Sequence, residues 1–178
     1  MNVVVKRIKD LSSSDKKSII NFLIESFSDN PNYKNSVYTN SDLDICVLLY
    51  QNQKLIGHVG ITRRLVEHKK SQYLVAGIGD VAIETKLRHS GFGTILMKEV
   101  NEVIKSDSFD LGLLFCHPKL DGFYSSCGWI KKENGKIYAT VNNEKEDQRL
   151  TYFLPIKLDE KDLRCWNNDD VEVGRGSW

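Results

Sequence analysis

The chain has 178 residues, of which 40% are hydrophobic and 28% are charged. This length gives one domain a sizeable core but is short for two, so we predict a single domain over residues 1–178. The 25 Lys and Arg residues nearly balance 24 Asp and Glu residues, leaving a net charge of +1. Such a balance provides no field that would draw the molecule to nucleic acid or an anionic membrane, and we expect neither as a partner.

The N-terminal segment MNVVVKRIKD passes from a short apolar run directly to charged residues. This pattern fits neither a signal peptide nor a membrane span and favours a cytoplasmic protein. The cysteines are far apart, with no C-x-x-C pair and no histidine at zinc-ligand spacing. We therefore expect reduced thiols and no bound metal. The four are Cys46, Cys116, Cys127 and Cys165.

The first half of the chain predicts a strand, a helix, a loop and a hairpin, in that order. VVVKRI (3–8) is rich in β-branched residues, and LSSSDKK (11–17) supplies N-caps for a helix. Residues 28–42 are dominated by Asn, Asp and Ser and predict an unusually long loop, of a kind that often binds ligands. DICVLLY (44–50) and KLIGHVGITRRLVEH (54–68) predict two central strands. The apolar face of the helix consists of Ile19, Ile20, Leu23 and Phe27.

The next strand, YLVAGIGDVAIE (73–84), contains Gly77 and Gly79. Glycine inside a strand often marks a bulge or the close approach of a ligand. The strand leads into a glycine-containing turn, and the apolar spacing after that turn predicts a helix from Phe92 to about Ser106.

The rest of the chain predicts further strands around one short helix. DLGLLFC (110–116) is apolar throughout after Asp110, as in a buried strand, and HPKLDGFYSSCGW (117–129) predicts a short helix closed by Gly128. KIYATV (136–141) and RLTYFLPI (149–156) predict late strands joined by a charged turn, NNEKEDQ (142–148). The tail from Leu163 to Trp178 shows no clear period. This order predicts an α/β fold with a mixed sheet and helices packed on it.

The turn before the central helix suits an anion. It lacks the third glycine of G-x-G-x-x-G and has no G-K-[ST], which leaves R-x-x-G-x-G. The first N–H groups of a helix have no intrahelical partner, and glycines let a pyrophosphate approach them. Arg88 adds a charge and Thr94 a hydroxyl, whereas a capping turn without a ligand is the alternative. The segment runs Arg88, His89, Ser90, Gly91, Phe92, Gly93 and Thr94.

R-x-x-G-x-G after a glycine-containing strand, with a tyrosine on a later helix, resembles the acetyl-CoA signature of the GNAT superfamily of acyltransferases. The resemblance implies a mostly antiparallel mixed sheet with a splayed, bulged strand for acetyl-CoA. It also implies that residues 88–94 hold the cofactor pyrophosphate, and that the backbone of Val81 and Ile83 pairs with the pantetheine arm.

Within this superfamily, the stretch from Gly57 to Trp129, the late FLPI and the terminal tryptophan are similar to aminoglycoside 2'-N-acetyltransferases. The rhizobial nodulation N-acyltransferases share the HxGxxRR strand and a late LPI. Both relatives transfer an acyl group to an amino sugar. The likeness is weak over roughly the first fifty residues.

The resemblance assigns the chemistry to two residues. Tyr124 matches the general acid that protonates the leaving thiolate, with packing beside Phe123 as the alternative. A carboxylate must help to remove a proton from the amine. The aminoglycoside enzymes carry a glutamate where this chain has Gly79, so the neighbouring Asp80 is the candidate base and Glu84 the reserve. A surface or hydrogen-bonding role for Asp80 is the alternative.

The acceptor residues follow from the same resemblance. Trp178 matches a terminal tryptophan whose free carboxylate helps to bind the polycationic drug. The nearest counterparts of an acidic acceptor residue in the early loop are Asp29 and Asn30. The histidines receive no role. They are His58, His68 and His89, interpreted as surface or turn residues, and His117, which precedes Pro118.

These assignments predict an N-acetyltransferase that uses acetyl-CoA, releases CoA and acts on the primary amine of a small molecule such as an amino sugar or aminoglycoside. The amine attacks the thioester directly, because neither Cys116 nor Cys127 has an obvious activating partner. Longer-chain acyl transfer to an amino sugar and a non-catalytic acyl-CoA-binding module are the alternatives. A homodimer is compatible with the sequence.

Overall fold

The computed structural model describes residues 1–30, 33–35, 42–141, 143–148 and 150–175. Trp178 and much of the predicted early loop therefore lie outside the described residues. The helices and strands are β1 (Asn2–Arg7), α1 (Ser13–Ser26), β2 (Leu43–Gln51), β3 (Lys54–His68), β4 (Ser71–Ile83), α2 (Phe92–Ser106), β5 (Leu111–Phe115), α3 (Phe123–Ser126), β6 (Ile130–Lys131), β7 (Ile137–Val141), β8 (Glu144–Asp147), β9 (Thr151–Pro155), α4 (Glu160–Asn168) and β10 (Val171–Arg175).

Seven strands form a sheet in the order β1-β2-β3-β4-β5-β9-β6, and three form a second sheet in the order β10-β7-β8. In the larger sheet β4 and β5 are parallel, whereas β1–β2, β2–β3, β5–β9 and β6–β9 are antiparallel. The predicted fold class, a mixed and mostly antiparallel sheet with helices, is confirmed. None of the helices in the described part of the chain has both the length and the apolar character needed to span a membrane.

The chain divides into two compact units. Unit 1 contains the described residues of Met1–Thr62 and Gly79–Glu102, and unit 2 those of Arg63–Ile78 and Val103–Trp178. Strands β3 and β4 each contribute residues to both units. A single domain over residues 1–178 stays a prediction.

In unit 1, α1 begins and packs as its sequence predicts. The Ser12 hydroxyl accepts a hydrogen bond from the Asp15 N–H at 3.0 Å and caps the helix. Ile19 and Leu23, four residues apart, are buried in a cluster with Cys46 and Leu48 of β2. The predicted apolar face of α1 therefore lies against the sheet.

A glycine on β3 lets α2 approach the sheet within unit 1. A Cβ at Gly57 would lie 2.8 Å from Ile83 Cδ1 and 3.3 Å from Leu96 Cδ2. Real side chains do not tolerate such contacts, so Gly57 allows β3, the end of β4 and the first half of α2 to pack closely.

Unit 2 is built on the apolar strand β5. Its residues from Leu111 to Leu114 are buried, as predicted for a central strand. Trp129 packs over Gly112, where a Cβ would lie 2.7 Å from the indole. The predicted short helix is α3, and Gly128 follows it with φ +88°, the left-handed conformation that ends a helix.

Strand β8 occupies part of the segment predicted as a charged turn, and that prediction is wrong. All four side chains of Glu144–Asp147 are exposed, so the strand has no apolar alternation to reveal it. Pairing with β7 forms the strand instead, and the Lys145 ammonium lies 4.2 Å from the centre of the Tyr138 ring.

The tail up to Arg175, where the description of the chain ends, forms a helix and a strand, although its sequence showed no period. The Asp159 carboxylate accepts from the Asp162 N–H at 2.7 Å and caps α4, which buries Trp166. In β10, Val171 and Val173 alternate into the core. These elements escaped prediction because α4 is mostly polar and β10 offers only two buried positions.

Candidate active site

The turn before α2 has the backbone conformation that its glycines predict. A 3-10 turn at Thr85–Leu87 follows β4, after which His89 and Gly91 adopt left-handed φ angles of +62° and +83°. Helix α2 begins at Phe92, and the Ile95 N–H donates to the Gly91 carbonyl at 3.2 Å. The N–H groups of the first helical turn, including those of Gly93 and Thr94, thus have no intrahelical acceptor.

The space beside this turn is open. Gly91 is exposed, and a Cβ built on it would meet no atom of the described residues within 4 Å apart from its two chain neighbours. Ser90 and Thr94 are also exposed. A turn of this shape presents backbone donors and two hydroxyls to a ligand at the positive end of a helix dipole.

Arg88 is engaged with backbone groups of unit 1. Its Nε donates to the Ile83 carbonyl at 3.2 Å, and its Nη2 donates to the Ser26 carbonyl at 3.1 Å. The exposed guanidinium therefore ties the turn to the ends of β4 and α1. The positive charge of the guanidinium lies beside residues 89–94 and is available to an anion there. Contact between Arg88 and a phosphate stays a prediction.

The last part of β4 departs from regular strand geometry where the sequence predicted a bulge. The register between β4 and β5 runs from Val75 to Ile78. Two residues further, Asp80 has φ +49°, which is uncommon for a residue other than glycine. Val81 and Ile83, whose backbone was predicted to bind pantetheine, follow this point and are half-buried.

Asp80 is held by two side chains that the sequence did not assign to the site. The Tyr33 hydroxyl donates a short hydrogen bond to Asp80 Oδ1. The His58 ring lies with Nδ1 2.9 Å from the Asp80 carbonyl oxygen. Because a carbonyl only accepts, His58 carries its proton on Nδ1. The two contacts hold the side chain and the backbone of Asp80 separately.

His58 is 0% exposed, so its interpretation as a surface or turn residue is wrong, and His68 is also buried. Burial lowers the pKa of His58, which is therefore a neutral donor at physiological pH. Burial, and then the charge of Asp80, raise the pKa of Tyr33, so that its phenol stays protonated and donates.

The reserve base has another partner. Glu84 Oε1 lies 2.7 Å from Lys54 Nζ, and the Glu84 N–H donates to the Ile56 carbonyl at 2.9 Å. Of the predicted acceptor residues, Asp29 and Asn30 are exposed just after α1. The Asn30 carbonyl accepts from the Tyr33 N–H at 3.0 Å, which links this segment to the Asp80 contact. The predicted role of Trp178 lies outside the described residues.

Tyr124 lies in unit 2, on α3, and is 3% exposed. Its ring centre is 5.0 Å from that of Phe123 and 5.7 Å from that of Tyr152. No hydrogen bond to the Tyr124 hydroxyl is found within the described ranges. Burial, followed by the neighbouring Cys116 and Cys127, raises the pKa of Tyr124, so the phenol is protonated at neutral pH.

Cys116, a conceivable nucleophile for an acyl-enzyme, is not activated. Burial, and then the charge of Asp121, raise the pKa of Cys116 to about 11. Its Sγ lies 3.8 Å from the Leu150 carbonyl oxygen. A protonated thiol is a poor nucleophile, which disfavours an acyl-enzyme on Cys116. His117 Nδ1 accepts from the Lys119 N–H at 3.2 Å, a local capping contact.

A family model described as an acetyltransferase (GNAT) domain matches residues 7–131. The match covers β4, the turn, α2 and the helix that carries Tyr124. The chain therefore belongs to the GNAT acetyltransferase family, as its sequence predicts, and to a family of acyltransferases.

An aminoglycoside 2'-N-acetyltransferase of Mycolicibacterium fortuitum is 25% identical over 107 residues, which cover 58% of this chain and 54% of that protein. This match thus spans about half the length of the relative. The structure of YhbS, a GNAT family N-acetyltransferase from Escherichia coli in complex with CoA, has a TM-score of 0.67 at 14% identity, covering 97% of this chain and 90% of that one. The structure of a probable N-acyltransferase from Enterococcus faecalis has a TM-score of 0.58 at 22% identity. The likeness covers 74% of this chain and 33% of that one. At these identities the structural likeness concerns the fold.

Proposed function

We propose that the protein is an acetyl-CoA-dependent N-acetyltransferase that acts on a primary amine of a small molecule, with an amino sugar or aminoglycoside as the acceptor class. The observation that carries the proposal is the left-handed turn at His89 and Gly91, which opens the start of α2 in a chain with a GNAT domain. Acetyl-CoA supplies an activated acyl thioester to this site.

The turn fits the pyrophosphate of such a donor. The backbone donors at the start of α2 are unpaired within the helix, and the open space at Gly91 lets an anion reach them. Arg88 contributes charge and Thr94 a hydroxyl. The backbone of Val81 and Ile83, beyond the last β4–β5 pair, is proposed to bind the pantetheine arm as an added strand would.

Asp80 is proposed to accept the proton that the acceptor amine loses, either directly or through water. The amine nitrogen then attacks the thioester carbon, a C–N bond forms and the C–S bond breaks. Tyr124 is proposed to protonate the departing thiolate. Its raised pKa keeps the proton available at neutral pH, and direct attack agrees with the inactive thiol of Cys116.

The acceptor class rests on the resemblance to aminoglycoside 2'-N-acetyltransferases and on the partial match to one of them. We expect CoA release from acetyl-CoA with aminoglycosides that carry a 2'-amine, and none with analogues that carry a 2'-hydroxyl. A thiol-trapping assay measures this, with glucosamine and chitosan oligomers in the same panel. Bound acetyl-CoA without turnover on any amine would contradict the proposal and favour a non-catalytic module. Faster turnover with a long-chain acyl-CoA would favour the longer-chain alternative.

Gly91→Val is expected to raise the dissociation constant of acetyl-CoA about tenfold, or about 1.4 kcal/mol. A valine at φ +83° strains the turn and fills the space beside the α2 donors. Calorimetry measures the constant. Gly174→Val is the matched control, because Gly174 has φ +85° and its nearest neighbour would be 3.9 Å from a Cβ. Equal constants for the two variants would remove the turn from the binding site.

A cytoplasmic location is proposed on two grounds. The four cysteines are free thiols, which suits a reducing compartment, and the proposed donor is a cytoplasmic metabolite. A homodimer stays a prediction.

A further inference from the structure

A buried tyrosine on β9, Tyr152, contacts two consecutive residues of the segment that leads into α3, Asp121 and Gly122. Tyr152 is 0% exposed. Its hydroxyl donates to Asp121 Oδ1 at 2.5 Å and accepts from the Gly122 N–H at 3.1 Å. One hydroxyl therefore holds both a side chain and a backbone group of this segment.

The Asp121 carboxylate is also held from β6. Lys131 Nζ lies 3.0 Å from Asp121 Oδ1 and 2.8 Å from Oδ2. Lys131 pairs with Tyr152 in the β6–β9 register, so the two partners of Asp121 come from adjacent strands. Hydrogen bonds from Lys131, and then from Tyr152, lower the pKa of Asp121, which is therefore charged at neutral pH. Asp121, Lys131 and Tyr152 are called the Asp121 clamp below.

The clamp acts on the residue where α3 begins. Gly122 caps α3 with φ +86°, and Tyr124 lies two residues further along. Helix α3 has only four residues, too few for a helix to be stable by itself. The Tyr124 ring also packs 5.7 Å from the Tyr152 ring. The same side chain thus contacts the ring of Tyr124 and anchors the start of its helix.

We propose that the Asp121 clamp is a positioning device for the Tyr124 hydroxyl, with Tyr152 as its central residue. This inference rests on the proposed function, in which Tyr124 protonates the leaving thiolate. The clamp places the start of α3 and thereby sets where the hydroxyl lies. General acid catalysis depends steeply on such placement, since a displacement of about 1 Å can cost about 100-fold in rate.

Tyr152→Phe removes the bridging hydroxyl while keeping the ring. We expect kcat to fall about tenfold with the acetyl-CoA dissociation constant within about twofold of the wild-type value, because a partial displacement costs less than the full loss of the acid. In a Tyr124→Phe background the same substitution is expected to change kcat by less than about twofold, because no acid remains to be positioned.

Single-turnover kinetics on the four proteins of this cycle tests the inference. Equal losses in both backgrounds, or no loss in the wild-type background, would overturn the positioning role. If Tyr124→Phe by itself leaves kcat unchanged, both the acid and its clamp are overturned. That outcome differs from a failed clamp, in which Tyr124→Phe is slow and Tyr152→Phe is not.

Lys131→Gln keeps the inference testable if Tyr152→Phe does not fold, because Lys131 is partly exposed. It is expected to lower kcat, by less than Tyr152→Phe, and only when Tyr124 is present. The matched control is Lys136→Gln, which breaks the exposed ion pair with Asp147 at 3.1 Å and is expected to leave kcat unchanged. Equal values for Lys131→Gln and Lys136→Gln would overturn the inference.

Discussion

Tyr124→Phe is expected to lower kcat about 100-fold, or about 2.7 kcal/mol of transition-state stabilisation, and to leave acetyl-CoA binding nearly unchanged. The substitution removes only the proton donor, because the buried ring keeps its packing against Phe123 and Tyr152. Steady-state rates of CoA release, together with calorimetric dissociation constants, separate the two quantities.

The control for this prediction is Tyr138→Phe, which removes a phenol from β7 and is expected to be neutral. A Tyr124→Phe enzyme with the wild-type kcat would show that the phenol only packs. The pH dependence provides a further check. An acid works below its pKa, and burial raises the pKa of Tyr124 above that of a free phenol. We therefore expect the wild-type rate not to decline below about pH 10 through loss of this proton.

The sequence predicts well those helices and strands in which the spacing of apolar residues indicates the buried face. Helix α1 shows four-residue spacing between Ile19 and Leu23, and β5 is a continuous apolar run. The left-handed turn at Gly91 follows from local chemistry, since glycine adopts positive φ without strain. Local signals of this kind are sufficient to predict the main helices and strands and the proposed cofactor turn.

The contacts around Asp80 could not be predicted, because they join residues distant in the chain. Tyr33 lies 47 positions and His58 22 positions before Asp80, and no spacing rule relates them. His58 lies inside the run IGHVGI (56–61) of β3, which is buried on both faces of the strand, and this continuous run is the one signal of its burial. The same holds for Tyr152, which reaches Asp121 only because β9 pairs with β5 and β6.

These contacts also change how the departure at Gly79 is understood. A glycine stands where the resembled enzymes carry a glutamate, and the residue after it, Asp80, has a left-handed backbone. Irregular backbone of this kind in a strand can re-aim a side chain. The buried His58 holds the carbonyl at this point and Tyr33 holds the carboxylate. A carboxylate is thus present one residue later, in a fixed orientation, which supports a catalytic protein over a module that only binds acyl-CoA.

Asp80→Asn is accordingly expected to lower kcat/KM for the amine at least about 100-fold, the usual scale for loss of a general base. Asparagine tolerates the left-handed backbone and offers an oxygen to the Tyr33 hydroxyl, so the substitution removes basicity while keeping the local geometry. Rates of CoA release over a range of amine concentrations measure the loss.

Two further carboxylates make this test specific. Asp44→Asn removes a β2 carboxylate whose Oδ2 lies 2.5 Å from Arg7 Nη1, and it is expected to leave kcat/KM unchanged.

Glu84→Gln is the sharper comparison, because Glu84 lies four residues from Asp80 and is the reserve base. Its ion pair with Lys54 makes a large loss unexpected. A large loss in Glu84→Gln with normal activity in Asp80→Asn would move the base to Glu84. Unchanged kcat/KM in both Asp80→Asn and Glu84→Gln would show that neither carboxylate is the base and that the amine enters the site already deprotonated. The contacts of Asp80 with Tyr33 and His58 would then serve only the local backbone shape.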